Sequence, residues 1–224
     1  MFLRPWKPFV KRAAILIDGE WFRRSLEIAL KNQLPHGVTA DVMYKNALLA
    51  LAKDEELFRL FYYDCPPYEG KETNPIDNSV VDFRALSKFQ SRTRFLSEMR
   101  GKDFVAMRLG IARNRGWTLR EGYIRNAIKG PTPHPVQAGD VFLALEQKGV
   151  DMRIGIDVAT LTLKRIVDRV ILISGDTDMI PAMKLARREG VQVVLVEVAS
   201  PQGVSLSKHL DEDTDLCRTI TPKP

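Results

Sequence analysis

The chain has 224 residues, of which 45% are apolar and 28% charged, with a formal net charge of +6 and two cysteines. This apolar content can bury one sizeable core, whereas no apolar run approaches the roughly 20 residues that span a bilayer, and the start MFLRPWKPFVKR lacks the apolar stretch of a signal peptide. Cys65 and Cys217 belong to no C-x-x-C pair, which excludes a cysteine zinc site or disulfide framework and predicts a cytoplasmic, reducing location.

In chain order, Arg4, Lys7, Lys11 and Arg12 form a short basic extension over residues 1–12. AAILID, Ala13–Asp18, reads as a buried strand that ends in an acid, and EWFRRSLEIALK after it has helical spacing. A helix from about Thr39 to Lys53 leads to a second strand ending in an acid, LFRLFYYD, Leu57–Asp64. CPPYEGKETNP is an irregular loop. Phe83, Leu86, Phe89, Thr93, Leu96 and Met99 then predict an amphipathic helix over Val81–Arg100. DFVAMRLGIAR is a further strand. An insertion around residues 113–135 has no assignable pattern, and its prolines at 131, 133 and 135 favour extended backbone. MRIGIDVATLTLKRI is helical, Val170–Ile173 is a strand buried on both faces, and VQVVLVEV is a last strand. Between the last two, Pro181 suits a helix's first turn and Gly190 its end. The alternation predicts a single α/β domain over residues 13–220.

Asp18, Asp64 and Asp176 each close a predicted strand. If the strands are parallel neighbours, these acids meet at the carboxyl edge of the sheet, where α/β folds bind ligands. Asp178 projects with Asp176 while the backbone is extended, and Asp157 can reach the same edge from its helix. A purely local reading, with Asp178 as a helix cap and Asp176 as a turn former, stays open. Clustered carboxylates repel one another, and an all-oxygen donor set selects a hard ion such as Mg2+ or Mn2+.

The charge is uneven. Arg100, Lys102, Arg108, Arg113, Arg115, Arg120, Arg125 and Lys129 stand against Asp103 and Glu121, so this segment alone carries the balance of +6. Arg113, Arg115, Arg120 and Arg125 with the rings of Trp117 and Tyr123 suit phosphate contacts and base stacking, although a solvated charged face with packed aromatics fits equally. His36, His134 and His209 are isolated, and Ser174 has no nearby histidine to make it a nucleophile.

ILIDGEWF, KGVDMRIGID and LISGDTDMIP, in this order and at this spacing, resemble the three motifs of NYN-domain proteins, ribonucleases of the PIN-like superfamily. FYYD and SKHLDEDTDL fit the bacterial branch. The resemblance covers most of Ala13–Ile220 and is strongest from Lys148 to Val198. It implies a PIN-like fold, a Rossmann-like three-layer sandwich with a mainly parallel central sheet. It also implies hydrolysis of RNA, single-stranded in this reading, at a site where Asp18, Asp157, Asp176 and Asp178 hold Mg2+ or Mn2+. Beside what the resemblance implies, Asp64, Asp151, Ser174 and Glu20 are read here as residues that support those ligands. Asp151 and Asp157 are six residues apart, about 240° around a helix, so Asp151 reads as a helix cap. Trp21 stands where the first motif usually has asparagine, which keeps a second reading alive: a non-catalytic RNA-binding or assembly module. No membrane is involved, and self-association is left open.

Overall fold

The computed structural model describes residues 10–31, 33–35, 37–130, 134–201 and 208–224. Arg4 and Lys7 of the basic extension, His36 and the prolines at 131 and 133 lie outside the described residues. In chain order the elements begin with β1 (Lys11–Asp18), α1 (Gly19–Ala29), α2 (Ala40–Leu48), β2 (Glu55–Asp64), β3 (Lys71–Thr73), β4 (Val80–Asp82), α3 (Ser87–Arg100) and β5 (Val105–Leu109). They continue with β6 (Ile111–Leu119), α4 (Glu121–Lys129), β7 (Val141–Lys148), α5 (Val150–Leu163), β8 (Arg169–Ile173), α6 (Ile180–Arg188), β9 (Gln192–Val198), α7 (Lys208–Glu212) and β10 (Leu216–Ile220). Two compact units result. One comprises Met1–Asp64, Phe95–Leu109 and Gly149–Pro224, the other Cys65–Arg94 and Gly110–Lys148. No helix among the described residues is long and apolar enough to cross a membrane.

The first unit contains a six-stranded sheet in the order β10-β9-β8-β1-β2-β5, parallel throughout. Strand alternation sends Ala13, Ile15 and Ile17 to one face, where they meet Phe22 and Leu26 of α1, Met43 of α2 and Met99 of α3. Ala14 and Leu16 face the other layer, with Ile154 and Leu161 of α5 and Met183 of α6. The Rossmann-like three-layer sandwich expected from the sequence is thus the fold of this unit. Counted in chain order, its strands run 3-2-1-4-5-6, and the chain reverses its march between β1 and β8. That reversal makes the carboxyl ends of β1 and β8 the crevice of the sheet.

Several elements differ from the sequence reading. The helix expected over Val81–Arg100 starts only at Ser87, because Val80–Asp82 pairs with β3 and Asp82 caps a single 3-10 turn by accepting from Arg84 N–H. The expected strand Asp103–Arg113 breaks at Gly110 into β5, in the parallel sheet, and β6, which pairs antiparallel with β7. A further strand, β10, lies beyond VQVVLVEV at the sheet edge, where its mostly exposed residues leave no continuous apolar run to read.

In the second unit the two antiparallel ribbons β3–β4 and β6–β7 are tied by side chains. Asn114 Nδ2 donates to Glu72 Oε1 at 2.7 Å, and Asn74 Nδ2 donates to the Ala138 carbonyl at 3.2 Å. Tyr68 and Phe83 meet edge to face at 5.4 Å.

The amino edge of the parallel sheet is closed by a buried ionic knot. Glu55, the first residue of β2, has a fully buried side chain that accepts from Arg169 Nη1 at 2.5 Å and from Arg218 Nη1 and Nη2 at 2.7 Å each. Burial would push its carboxyl upward, but the hydrogen bonds from Arg218, the Ala52 N–H and Arg169 hold it at about 2. Glu55→Gln leaves two desolvated guanidiniums underpaired and is expected to cost about 3 kcal/mol by chemical denaturation. Because the folded carboxyl lies below its ordinary value, the Glu55 contribution is complete above about pH 4.5. It is lost as pH falls toward about 2, so acid titration of the parent should show a stability loss in that window that the variant lacks.

Candidate functional site

Asp18 is the last residue of β1 and the N-cap of α1, where its Oδ1 accepts from Trp21 N–H at 3.1 Å. Its Oδ2 accepts from Ser174 Oγ at 3.4 Å, and Ser174 Oγ in turn accepts from Asp176 N–H at 3.1 Å. The buried serine therefore bridges the carboxyl ends of β1 and β8 across the crevice. Gly19 is required by close packing, since a Cβ there would stand 2.5 Å from the Tyr62 hydroxyl and 2.7 Å from the Tyr63 carbonyl. Its bareness lets the Tyr62 hydroxyl pass and donate to the buried Asp64 at 2.6 Å.

After β8, Asp176 Oδ1 accepts from Asp178 N–H at 2.9 Å and caps a short 3-10 turn, Thr177–Met179, that leads into α6. The cap is thus Asp176, and Asp178 lies exposed in the turn. Asp151 is not a helix cap either. Gly149, in the left-handed conformation with φ 78°, takes that position without a side-chain bond. Asp151 stands in the first turn of α5, where its charge acts on Asp18 and is itself opposed by Asp176 and Asp178. Burial raises the Asp18 carboxyl above the ordinary carboxylate range, the Trp21 N–H lowers it, and the charges of Asp151, Asp176 and Asp64 raise it further. Asp151 is raised for the same reasons, burial first and then Asp176 and Asp178.

Asp157 sits apart from this set. Its Oδ2 accepts from the Tyr63 hydroxyl at 2.8 Å and from Arg108 Nε at 2.7 Å, an ion pair that neutralises it. Burial and the Asp157 charge raise the Tyr63 hydroxyl well above its ordinary range, so it stays a donor. Asp18, Tyr63 and Arg108 are register neighbours on β1, β2 and β5, one row along the carboxyl edge. Glu20 forms ion pairs with Arg23 and Arg24 on its own helix, at 3.4 and 2.6 Å. Trp21 is half-buried, and its indole lies against the backbone of Gly175, where a Cβ would come within 2.1 Å of Nε1. The roles of Arg108, Tyr63 and the Trp21–Gly175 contact were invisible in the sequence. Only FYYD hinted that the end of β2 is chemically busy.

Among the described residues no three acidic, histidine or cysteine side chains come close enough together to grip a metal ion directly. The donors are nevertheless all oxygens in a field of like charge. That fits an ion such as magnesium, which keeps several waters and takes one or two carboxylates.

The cations and rings singled out around 113–135 lie in the second unit. Arg115 pairs with Glu146 at 2.5 Å and Arg125 with Glu121 at 2.6 Å. Arg113 is the register partner of Glu146, and Trp117 of Leu143. Arg120 Nε donates to the Gly139 carbonyl at 2.9 Å, and the Tyr123 hydroxyl donates to the His134 carbonyl at 2.9 Å.

Residues 123–216 match the model of the NYN domain, a branch of the PIN-like superfamily, in the segment that carries KGVDMRIGID and LISGDTDMIP. The matched segment holds Asp151, Asp157, Asp176 and Asp178, while Asp18 precedes it. NYN proteins are typically nucleases, and PIN-like nucleases generally use divalent metals. No curated protein matches the chain. The fold is shared with a crystal structure of a protein of unknown function from Vibrio parahaemolyticus RIMD 2210633, at 17% identity and a TM-score of 0.51 over 96% of each chain.

Gly19→Ala tests the packing of the crevice. The added methyl meets the Tyr63 backbone, which cannot rotate away, so a loss of about 1 to 3 kcal/mol is expected in denaturant titration.

Proposed function

We propose that the protein is a metal-dependent ribonuclease that hydrolyses phosphodiester bonds of single-stranded RNA at the carboxyl edge of β1 and β8. The observation that carries this reading is the convergence of charge: Asp18 and Asp151 are both held above the ordinary carboxylate range, by burial and by their acidic neighbours. A site strained in this way gains most from a cation. Asp18 and Asp176 would hold Mg2+ or Mn2+ directly and Asp151 through one of the waters the ion keeps, with Asp178 at the exposed rim. When bound, such an ion activates water and neutralises charge on the phosphodiester. Ser174 fixes the Asp18 carboxylate by donating to Oδ2 and fixes the following loop by accepting from Asp176 N–H. Asp157 is a positioning residue in this scheme. It clamps Arg108 and Tyr63 along the same edge, where a fixed guanidinium can meet a phosphate oxygen.

The assignment exchanges Asp151 for Asp157 among the acids that the family resemblance suggested, because a carboxylate already neutralised by arginine offers little to a cation. A second reading, a non-catalytic RNA-binding or assembly module, is favoured by one observation: the indole of Trp21 fills space against Gly175 beside the acids.

Labelled single-stranded RNA incubated with the protein in manganese or in chelator separates the two. Metal-dependent cleavage is expected, and metal-independent binding without any cleavage would establish the second reading. Asp151→Asn and Asp176→Asn should each lower cleavage at least about 100-fold, while their metal-free melting temperatures stay level or rise as repulsion is relieved. Asp157→Asn should behave oppositely, losing about 1 to 3 kcal/mol of stability by leaving Arg108 and Tyr63 underpaired and retaining part of the activity. Manganese should raise the melting temperature of the parent, by about 2.7 kcal/mol of stability at a hundredfold excess over Kd, and should fail to do so for Asp151→Asn.

A further inference from the structure

We propose that the outer face of the β6–β7 ribbon is a stacking platform for single-stranded nucleic acid, with Phe142 as its ring and Arg113, Arg115, Arg120 and Lys148 as its phosphate contacts. This rests on the RNA-directed reading above and says which residues of the second unit would meet the strand. Side chains directly opposite in an antiparallel pair share a face. Ile111 stands opposite Lys148, Arg113 opposite Glu146 and Thr118 opposite Phe142, so one face gathers the cations and the phenyl ring. The other face carries Asn114, bonded to Glu72, together with the buried Val141 and Leu143.

Simple alternation would put Trp117 with Arg113 and Arg115. The register, however, gains one residue in β6 between Asn114 and Trp117, where Gly116 adopts φ 87°. The bulge turns Trp117 to the inner face, opposite Leu143, and leaves Phe142 as the ring among the cations. Phe142 is 38% exposed, and the Arg120 guanidinium lies 5.5 Å from its ring centre. The bond from Arg120 Nε to Gly139 holds that cation against the ring, which keeps part of its surface exposed to solvent. Glu146 is the acid of this face, and its pair with Arg115 is exposed on both sides, so a phosphate can displace it with little loss. An unpaired base can reach such a ring, whereas a duplex hides its bases in the stack.

Binding of a fluorescein-labelled oligouridylate, followed by anisotropy in chelator so that no cleavage intervenes, tests the platform. Phe142→Ala should weaken binding about 5- to 150-fold with an unchanged salt slope, and Phe142→Trp should keep or improve it. Arg113→Gln with Lys148→Gln should flatten log affinity against log salt by about 0.7 for each phosphate that is no longer neutralised. Trp117→Ala should lower the melting temperature yet leave the affinity of the folded protein unchanged. Parental affinity in Phe142→Ala overturns the proposal. So does tighter binding of duplex RNA or polyglutamate than of oligouridylate, or no oligouridylate binding by the parent. Parental affinity in Phe142→Ala would leave the reading of the carboxylates standing, since the manganese assay reads cleavage separately, and manganese-dependent cleavage by a parent that binds no oligouridylate in chelator would sink the platform alone.

Discussion

Repulsion between carboxylates at the carboxyl edge of the sheet is the constraint around which the first unit is arranged. Asp18, Asp64, Asp151 and Asp176 are drawn together by the strand order, because a reversal between β1 and β8 brings two strand ends and the start of α5 to one crevice. The fold answers with donors. Trp21 N–H, the Ser174 hydroxyl, Asp178 N–H and the Tyr62 hydroxyl each donate to one of these acids. Such bonds hold the oxygens in place without cancelling their charge, which leaves Asp18 and Asp151 short of a counter-ion.

The amino edge of the same sheet shows the opposite solution. The Glu55 side chain is fully buried, but two arginines grip both of its oxygens, and Gln192 orients one of those arginines by accepting from Arg169 Nε at 2.7 Å. There the charge is closed and the carboxyl is driven down to about 2. One sheet thus has an edge where charge is consumed by structure and an edge where it is left uncompensated. Asp157 belongs to the first kind although it lies near the second, and Arg108 makes the difference.

How much of this was legible depended on whether a feature lives in sequence spacing or in rotation. β1, β2, β8 and β9 were readable because central parallel strands are buried on both faces and so appear as unbroken apolar runs. The strand-end acids followed from them. Edge strand β10 has only Ile220 buried, and in β7 a short apolar run, Val141–Leu145, gives way at once to Glu146, Gln147 and Lys148, so neither was read as a strand. For α5, arithmetic at 100° per residue correctly separated Asp151 from Asp157, but it could not say which of them faces the crevice. That depends on the phase fixed by Val150, Ile154, Val158 and Leu161 against the sheet. Gly149 decided the matter further by taking the cap in a left-handed conformation, and no residue pattern announces it.

The β6–β7 ribbon carries the same lesson with period two in place of 3.6. Arg113, Arg115 and Trp117 alternate in the sequence as if they shared a face, and any reading of composition groups them. One inserted residue breaks the parity, because beyond a bulge every later side chain changes sides. Gly116 permits the insertion without strain, since its positive φ would strain any other residue. The indole then joins the packed side opposite Leu143, and the partner strand supplies the exposed ring instead. The character of the charged face is therefore set by the bulge at Gly116, whose positive φ a side chain would strain.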